Sequence, residues 1–360
     1  MKKFLAIALS ALIFAVCAVF FAACGERGNN GDETGNNNNG GNNGGAQQTV
    51  EADVYAPDGA PALALAQLMS EEMQFGGKVT YNVVPATTIQ TYVTGEEPRA
   101  ELCILPVNAA AQLLGTGEVY KMLGTVTHGN LYVLAAAARE SLTASNISEL
   151  LKGSKIGCLQ LNNFVGYALR IVLDRYDIEY DEIRQDKEEV NNTDKAYIYE
   201  VAANEITPTA SYDYMIAAEP AVSTRVANTQ NKLQVKGDLQ ELYGENGYPQ
   251  AVLVAKADFI EENGQFIADF MQAVAENAGW LLADTTEAAK VVQAVADHLP
   301  DGATPSFTAE NLTKKVIENC AVRFDGAASC KERVNTFLAE LSDLLGKTFS
   351  AADAFYYIAE

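Results

Sequence analysis

Two histidines, one tryptophan and no CxxC pair occur in 360 residues, and His128 and His298 lie far apart along the chain. Structural zinc needs Cys and His ligands in close, paired spacing, so no metal or other cofactor is expected. Catalytic signatures are missing too: there is no G-x-S-x-G, no H-E-x-x-H and no P-loop. The fragment Gly115-Thr116-Gly117 lacks the third glycine of a dinucleotide fingerprint and follows no strand. Basic residues are scarce, 25 Lys and Arg against 47 Asp and Glu, for a formal charge of −22. That balance excludes nucleic acid as a partner, because phosphates are held by a basic face that displaces their counterions. The carboxylates crowded into 174–189 read as a solvated surface rather than an acid/base pair.

What is present begins with one long apolar run. Lys2 and Lys3 precede a mainly apolar stretch over 4–21, closed by Ala22-Ala23-Cys24-Gly25. A charged start, an apolar middle and a small-residue junction predict an export signal that is removed; an uncleaved membrane anchor of about 20 residues is the alternative. Cys24 behind two alanines resembles the lipidation site of a bacterial lipoprotein, whereas Cys17 follows the β-branched Val16. The expectation is a signal peptide over 1–23, a lipid (palmitate) on Cys24, and a body held at the extracytoplasmic face of the cell membrane. Residues 24–49 are rich in Asn and Gly, with no aromatic residue to seed a core. They read as a tether, with an r.m.s. span of roughly 28 Å if flexible.

Four cysteines remain in the body. Cys103 and Cys158 lie in apolar, strand-like runs and read as small buried residues. Cys320 and Cys330 flank the turn-like segment AVRFDGAAS in a compartment that permits disulfides. A bridge between them is expected, with two free thiols as the alternative.

From 51 onward strand and helix signals alternate. Strands are expected at 51–56, 79–84 and 101–105. The turn Asp58-Gly59-Ala60-Pro61 feeds a helix at 62–73, Thr87 and Thr88 open a second, and Pro106-Val107-Asn108 feeds a third at 109–114. This β-α-β-α-β-α order predicts a parallel sheet with helices on its faces. The β-rich passage 121–138, interrupted at Thr127-His128-Gly129-Asn130, leads into a second region. There a strand at 155–161, the cap Asn162-Asn163 and a helix at 164–176 repeat the device, as do a strand at 211–217, Ala218-Glu219-Pro220 and a helix at 221–228. A strand at 251–256 returns to the first region, and helices at 264–284, 286–299, 308–318 and 331–345 finish the chain. The expected fold class is α/β in two lobes, 50–134 plus 251–360 and 135–250, hinged by two crossover strands, with a helical C-terminal part.

Ligands of open α/β sheets sit beyond the carboxyl ends of the strands. Those loops carry Asp58, Gly59, Ala60, Pro61, Thr87, Asn108, Thr127, His128, Gly129 and Asn130 on the first lobe, and Asn162, Asn163, Phe164 and Glu219 on the second, with Tyr248 at the return crossover. Most are uncharged hydrogen-bonding groups, and helix N-termini beside them supply free N–H groups. Phe164 and Tyr248 are placed to stack on a ligand ring. Each residue also has a structural use, as a cap, a turn or a packing group.

The segments YAPDGAPALALAQLM, AELCILPVNAAAQLL and GTVTHGNLYVL, with YDYMIAAEPAVSTRV and YPQAVLVAKADFIEEN, resemble solute-binding lipoproteins of ABC importers. The branch includes nitrate-, sulfonate- and thiamine-pyrimidine-precursor-binding proteins. The resemblance spans 50 to about 345 and implies a two-lobed type II periplasmic-binding-protein fold. It also implies a monomer that closes on a small solute and delivers it to a permease and its ATPase, with the residues above as cleft positions. Asn162-Asn163-Phe164 is bulkier than the Gly- and Ser-rich loop often found there. A sensory or structural binding lipoprotein without a transporter shares this signature. The superfamily's pyrimidine-synthesising enzymes use a cysteine-rich, histidine-centred iron site that has no counterpart in this sequence.

Overall fold

Short runs of β-branched and aliphatic residues, closed by turns, assemble into two six-stranded sheets. The structure is a computed structural model that describes residues 49–183 and 193–358. The expected signal peptide, Cys24 and the tether as far as Gln48 lie outside the described residues. The strands are β1 (Glu51–Pro57), β2 (Lys78–Val84), β3 (Leu102–Pro106), β4 (Tyr120–Thr127), β5 (Leu131–Ala136), β6 (Lys155–Cys158), β7 (Tyr180–Ile183), β8 (Ala196–Glu200), β9 (Tyr214–Ala218), β10 (Leu233–Asp238), β11 (Ala251–Lys256) and β12 (Val322–Gly326). The first sheet has the order β12-β4-β11-β3-β1-β2 and the second β10-β5-β9-β6-β8-β7.

In the first sheet β1, β2 and β3 run parallel, and β11 is inserted antiparallel between β3 and β4. Sheets covered on both faces have strands that are apolar throughout, and β3 follows this rule. Its Cys103 and Leu105 join one apolar cluster with Tyr120, Val252 and Phe337. Its Leu102 and Ile104 join another, with Leu68 and Phe270. The edge strand β2 instead alternates, with exposed Lys78 and Thr80 between buried Val79 and Tyr81.

The chain passes from the first sheet to the second through residues 128–130 and returns through the helix Leu239–Tyr243 and residues 244–250. Leu131–Ala136 pairs only within the second sheet, with β9 and β10. One apolar cluster runs through both sheets, taking in Val252 of β11 and Val133 and Ile216 of the second sheet. The C-terminal helix Ala327–Leu345 seals it. Phe337 on this helix stacks on Phe164 at 5.7 Å and on Tyr248 at 6.3 Å between centroids.

Three expected helices differ. The run 62–73 is split into Ala60–Leu63 and Ala66–Ser70, because Asn277 inserts into the ladder: its Nδ2 donates to the Leu63 carbonyl (2.9 Å) and its Oδ1 accepts from the Gln67 N–H (2.8 Å). A direct helical bond would join those two groups. After Thr88 there is a single 3₁₀ turn, Ile89–Tyr92. The helix expected at 308–318 is Lys314–Asn319, started by Thr313, whose hydroxyl accepts from the Val316 N–H.

The expected Cys320–Cys330 bridge is not formed; both are free, buried thiols. The segment between them is strand β12 rather than a turn, and five extended residues span about 13 Å, beyond disulfide reach. Cys320 packs with Leu63 and Phe307 and Cys330 with Phe337. Among the described residues no helix is long and apolar enough to cross a membrane.

Candidate functional site

β1, β3 and β4 run the same way, so their carboxyl ends share one edge of the first sheet, and Asn130 and Tyr248 on the crossovers contact Glu219 after β9 and Phe164 after β6; most of the expected site residues lie in these segments. The ends of three neighbouring strands are locked together by backbone bonds. The Val107 N–H, just after β3, donates to the Gln250 carbonyl, and the Gln250 N–H donates to the Thr127 carbonyl, both at 3.0 Å. Asn108 in the first turn of the helix after β3 (Val107–Leu114), Gln250 before β11 and Thr127 at the end of β4 therefore lie on neighbouring segments, in a row along the backbone. Gln250 Nε2 donates to Asn130 Oδ1 at 3.1 Å, which turns Gln250 Oε1 away from Asn130.

Along this row, Asn108 Oδ1, Gln250 Oε1, Thr127 Oγ1 and the Tyr248 hydroxyl are buried without a formed hydrogen bond. The Tyr248 oxygen lies near the backbone N–H groups of Asn130 and Leu131, and burial pushes its pKa well up, so it keeps its proton. Buried polar atoms in folded proteins are nearly always satisfied. Arg333 Nε, on the C-terminal helix, is unpaired in the same way, and the Arg333 side chain reaches His128.

Gly129 is fixed by the same corner. Its φ is +107°, and a Cβ would lie 2.5 Å from the Gln240 side chain and 2.7 Å from the Tyr248 ring. Only glycine fits both demands.

Glu219, at the end of β9, is only 4% exposed. Its N–H donates to the Asn130 carbonyl at 3.1 Å. Its Oε1 accepts from Ser223 Oγ and from Asn319 Nδ2, both at 2.7 Å, and Oε2 accepts from the Ser223 N–H at 3.1 Å. Asn319 follows the first sheet's side of the chain into β12, while its own carbonyl accepts from the Tyr132 hydroxyl on β5 at 3.0 Å. Glu219 and Tyr132 thus grip the last residue of the helix Lys314–Asn319, which leads into β12 of the first sheet.

His128 is buried rather than a loop histidine open to solvent. Its Nε2 lies 3.2 Å from the Arg323 carbonyl and its Nδ1 3.5 Å from Arg333 Nη2. Burial, then the positive charge of Arg323, lowers its pKa to about 3, so it is neutral at ordinary pH and its two nitrogens are engaged. Burial pushes the Asp325 carboxyl up, but its bond from Arg333 at 2.6 Å and the charges of Arg323 and Arg333 outweigh that and hold it below the usual carboxylate range. Arg323 also donates to the Asn246 carbonyl at 2.8 Å. Charges on β12 therefore tie down both crossovers.

The remaining expected residues serve other ends. Asp58 accepts from the Ser306 N–H (2.9 Å), the Ser306 hydroxyl (2.6 Å) and the Gly59 N–H (2.8 Å), pinning the turn to the C-terminal region. Ala60 is buried beside Leu63 and Phe307, and Pro61 lies in the first turn of its helix. Asn163 caps the helix Phe164–Arg175, accepting from the Phe164 N–H at 2.8 Å. Asn162 is exposed, with its carbonyl taken by the Tyr167 hydroxyl at 2.7 Å. Thr87 is exposed beyond the edge strand β2, away from the others. The rings of Phe164 and Tyr248 pack on each other at 5.8 Å and on Phe337, so protein occupies the surfaces expected to receive a ligand ring. Gln250, Ser223, Asn319 and Arg333 were not expected. Only the register of β11 and β12 brings Gln250 and Asn319 to this place, and no local pattern marks either.

No family model matches the chain, and no curated protein does. Among solved structures, an ABC transporter from Parabacteroides distasonis matches with 18% identity and a TM-score of 0.62, over 86% of this chain and 99% of that one. The periplasmic aliphatic sulphonate binding protein from Escherichia coli matches with 15% identity and a TM-score of 0.56, over 86% and 92%. The alkanesulfonate-binding protein from Xanthomonas axonopodis pv. citri, bound to MOPS, matches with 15% identity and a TM-score of 0.52, over 87% and 100%. Two α/β sheets joined by two crossovers and closed by C-terminal helices, shared along almost the whole length of these three structures, give this chain the type II periplasmic-binding-protein fold.

Proposed function

We propose that this chain is a lipid-anchored, extracytoplasmic solute-binding protein that captures a small polar solute between its two lobes and delivers it to an ABC import permease. The observation that carries the reading is the row of unsatisfied buried atoms on Asn108, Gln250 and Thr127, at the strand ends where this fold meets its ligands. The flanking grip of Glu219 and Tyr132 on Asn319 supports closure of one lobe on the other, which would add second-lobe contacts to a bound solute. Cys24 and the tether support anchoring at the membrane, with the permease and its ATPase as partners and a monomer as the working unit. Binding rather than catalysis fits His128, which is neutral and spends both nitrogens on structural neighbours.

A thermal-shift screen of the purified protein against pyrimidines, sulfonates, inorganic oxyanions, amines and amides tests this. A native-state ligand raises stability by RT ln(1 + [L]/Kd), so a saturable rise is expected for one class. That rise should shrink in Asn108→Ala and Thr127→Val while the melting temperature without solute stays close to that of the parent. A ligand whose affinity is the same in the parent and both variants would remove this row from the site. Gene neighbourhood separates import from a sensory role, since only the former calls for an adjacent permease and ATPase.

A further inference from the structure

The return crossover is held at three points by the C-terminal part of the chain. Arg323 on β12 donates to the Asn246 carbonyl at 2.8 Å, and Phe337 stacks on Tyr248 at 6.3 Å between centroids. The third point is ionic. Glu340, on the same helix face as Phe337 and one turn beyond it, accepts from the Tyr243 hydroxyl at 2.9 Å through Oε2. Through Oε1 it pairs with Arg175 Nη2 at 2.6 Å. Arg175 is the last residue of the helix Phe164–Arg175 in the second lobe. Its guanidinium carbon lies 3.7 Å from the centroid of the Tyr243 ring, and its Nη1 donates to the Tyr243 carbonyl at 2.9 Å. The next residue, Tyr176, donates its hydroxyl to the Leu242 carbonyl at 2.9 Å.

Tyr243 thus sits between a cation of the second lobe and an anion on a helix that starts directly after β12 of the first. The planar guanidinium can stack on the ring and still donate to a carbonyl and a carboxylate, which a lysine cannot do at once. Just beyond Tyr243 the two crossovers touch. Gly247 has φ +63°, and a Cβ there would lie 2.5 Å from the His128 carbonyl oxygen. Rotation of one lobe about these segments moves the helix Phe164–Arg175 against the helix Ala327–Leu345, and the Arg175–Glu340 pair lies on that path. The two side chains are 32% and 27% exposed, so the pair is of modest strength and open to screening by salt. Such a contact suits a joint that opens repeatedly.

We propose that Arg175, Tyr243 and Glu340 form a clasp over the return crossover that sets how often the two lobes part. The proposal takes from the reading above the motion of the lobes and nothing about the solute. Hydrogen exchange of the purified protein, followed by mass spectrometry with no solute added, tests it. The reporting amides are those of His128, Glu219 and Gln250, which donate to the carbonyls of Ala321, Asn130 and Thr127. Peptides containing them should exchange roughly three- to tenfold faster in Glu340→Gln and in Arg175→Met, the effect of losing a partly exposed ion pair and a cation–π contact. Peptides from β3 and β6 should keep the parent's rate, and Arg175→Lys should fall between parent and Arg175→Met. The double variant should open no more than the faster single one, because the two residues act as a unit. Raising salt from about 0.05 M to about 1 M should speed the parent and leave the double variant unchanged. Thermal melts check that each variant is folded. Unchanged exchange at the three amides in both single variants would overturn the clasp. So would faster exchange in β3 and β6 alike, which would make the contact a contributor to overall stability, and so would a double variant that opens by the product of the single effects. Each of these results leaves the solute-binding reading standing, since that reading is judged by the thermal-shift screen.

Discussion

Removing the side chain of Asn319 should cost more than a surface asparagine, because that amide is one of three donors to a carboxylate that is only 4% exposed. Asn319→Ala deletes the 2.7 Å bond to Glu219 and leaves the two from Ser223. The bond from Tyr132 survives, since it ends on the Asn319 backbone carbonyl. A hydrogen bond to a charged group contributes roughly 1.5–3 kcal/mol, so Asn319→Ala should destabilise by about 2 kcal/mol. Glu219→Gln keeps an oxygen for Asn319 but makes the bond neutral, worth roughly 0.5–1.5 kcal/mol. The two substitutions should therefore be non-additive, with a coupling of about 1 kcal/mol. Equilibrium urea unfolding of the parent, both single variants and the double variant measures it, provided the slope m is unchanged. Additivity within about 0.3–0.5 kcal/mol, as for independent sites, would refute the claim that this contact joins the lobes energetically. A variant that unfolds in two steps would instead mean that the lobes have lost their cooperativity.

Acid should weaken the fold through His128. Folded His128 stays neutral down to about pH 3, against an ordinary value of 6.5, so the unfolded chain binds the extra proton. Its contribution is complete above pH 6.5 and is lost as pH falls from 6.5 towards 3, by about 1.4 kcal/mol per pH unit in the middle of that window; Asp325, with a lowered value, adds loss in the same direction below the ordinary carboxylate range. Urea midpoints measured across pH should show a flatter acid limb in His128→Asn, and an unchanged limb would contradict the assignment. Asn277→Ala strips partners from the Leu63 carbonyl and the Gln67 N–H and should destabilise by about 2–4 kcal/mol; a loss below about 1 kcal/mol would mean that the two helical pieces rejoin directly.

The first half of the architecture is legible because each strand there is short, apolar and followed by its own turn. The helices Ala221–Asn228 and Phe164–Arg175 and the strand Ala251–Lys256 lie where periodicity and caps put them. What is hidden depends on distant partners. Nothing in YAPDGAPALALAQLM announces a break after Leu63, because the side chain responsible is Asn277, more than two hundred residues further on. Strand β12 looked like a turn because Arg323 and Asp325 are polar. Those charges are spent on the crossovers, and the strand is an edge that needs only one apolar face. For the site, the turns after β3, β4 and β9 were readable as places. Their division of labour was not, because Asn163 as a cap and Asn108 as an open acceptor look alike until the hydrogen bonds are counted.

The position of β11 has a consequence for how the body is made. The chain synthesises β3 and β4 early, but they are separated in the finished sheet by a strand that begins only at Ala251. A nascent chain emerging at about 5–20 residues per second holds β4 for roughly 6–25 s before its neighbour exists. The second sheet is drawn from one unbroken stretch, 131–238, and can be complete by then. The later lobe in sequence is thus the earlier one to mature, and the first lobe spends that interval with β3 open on one edge and β4 on both, since β12 is later still, the state in which a binding partner or an aggregating copy would find them.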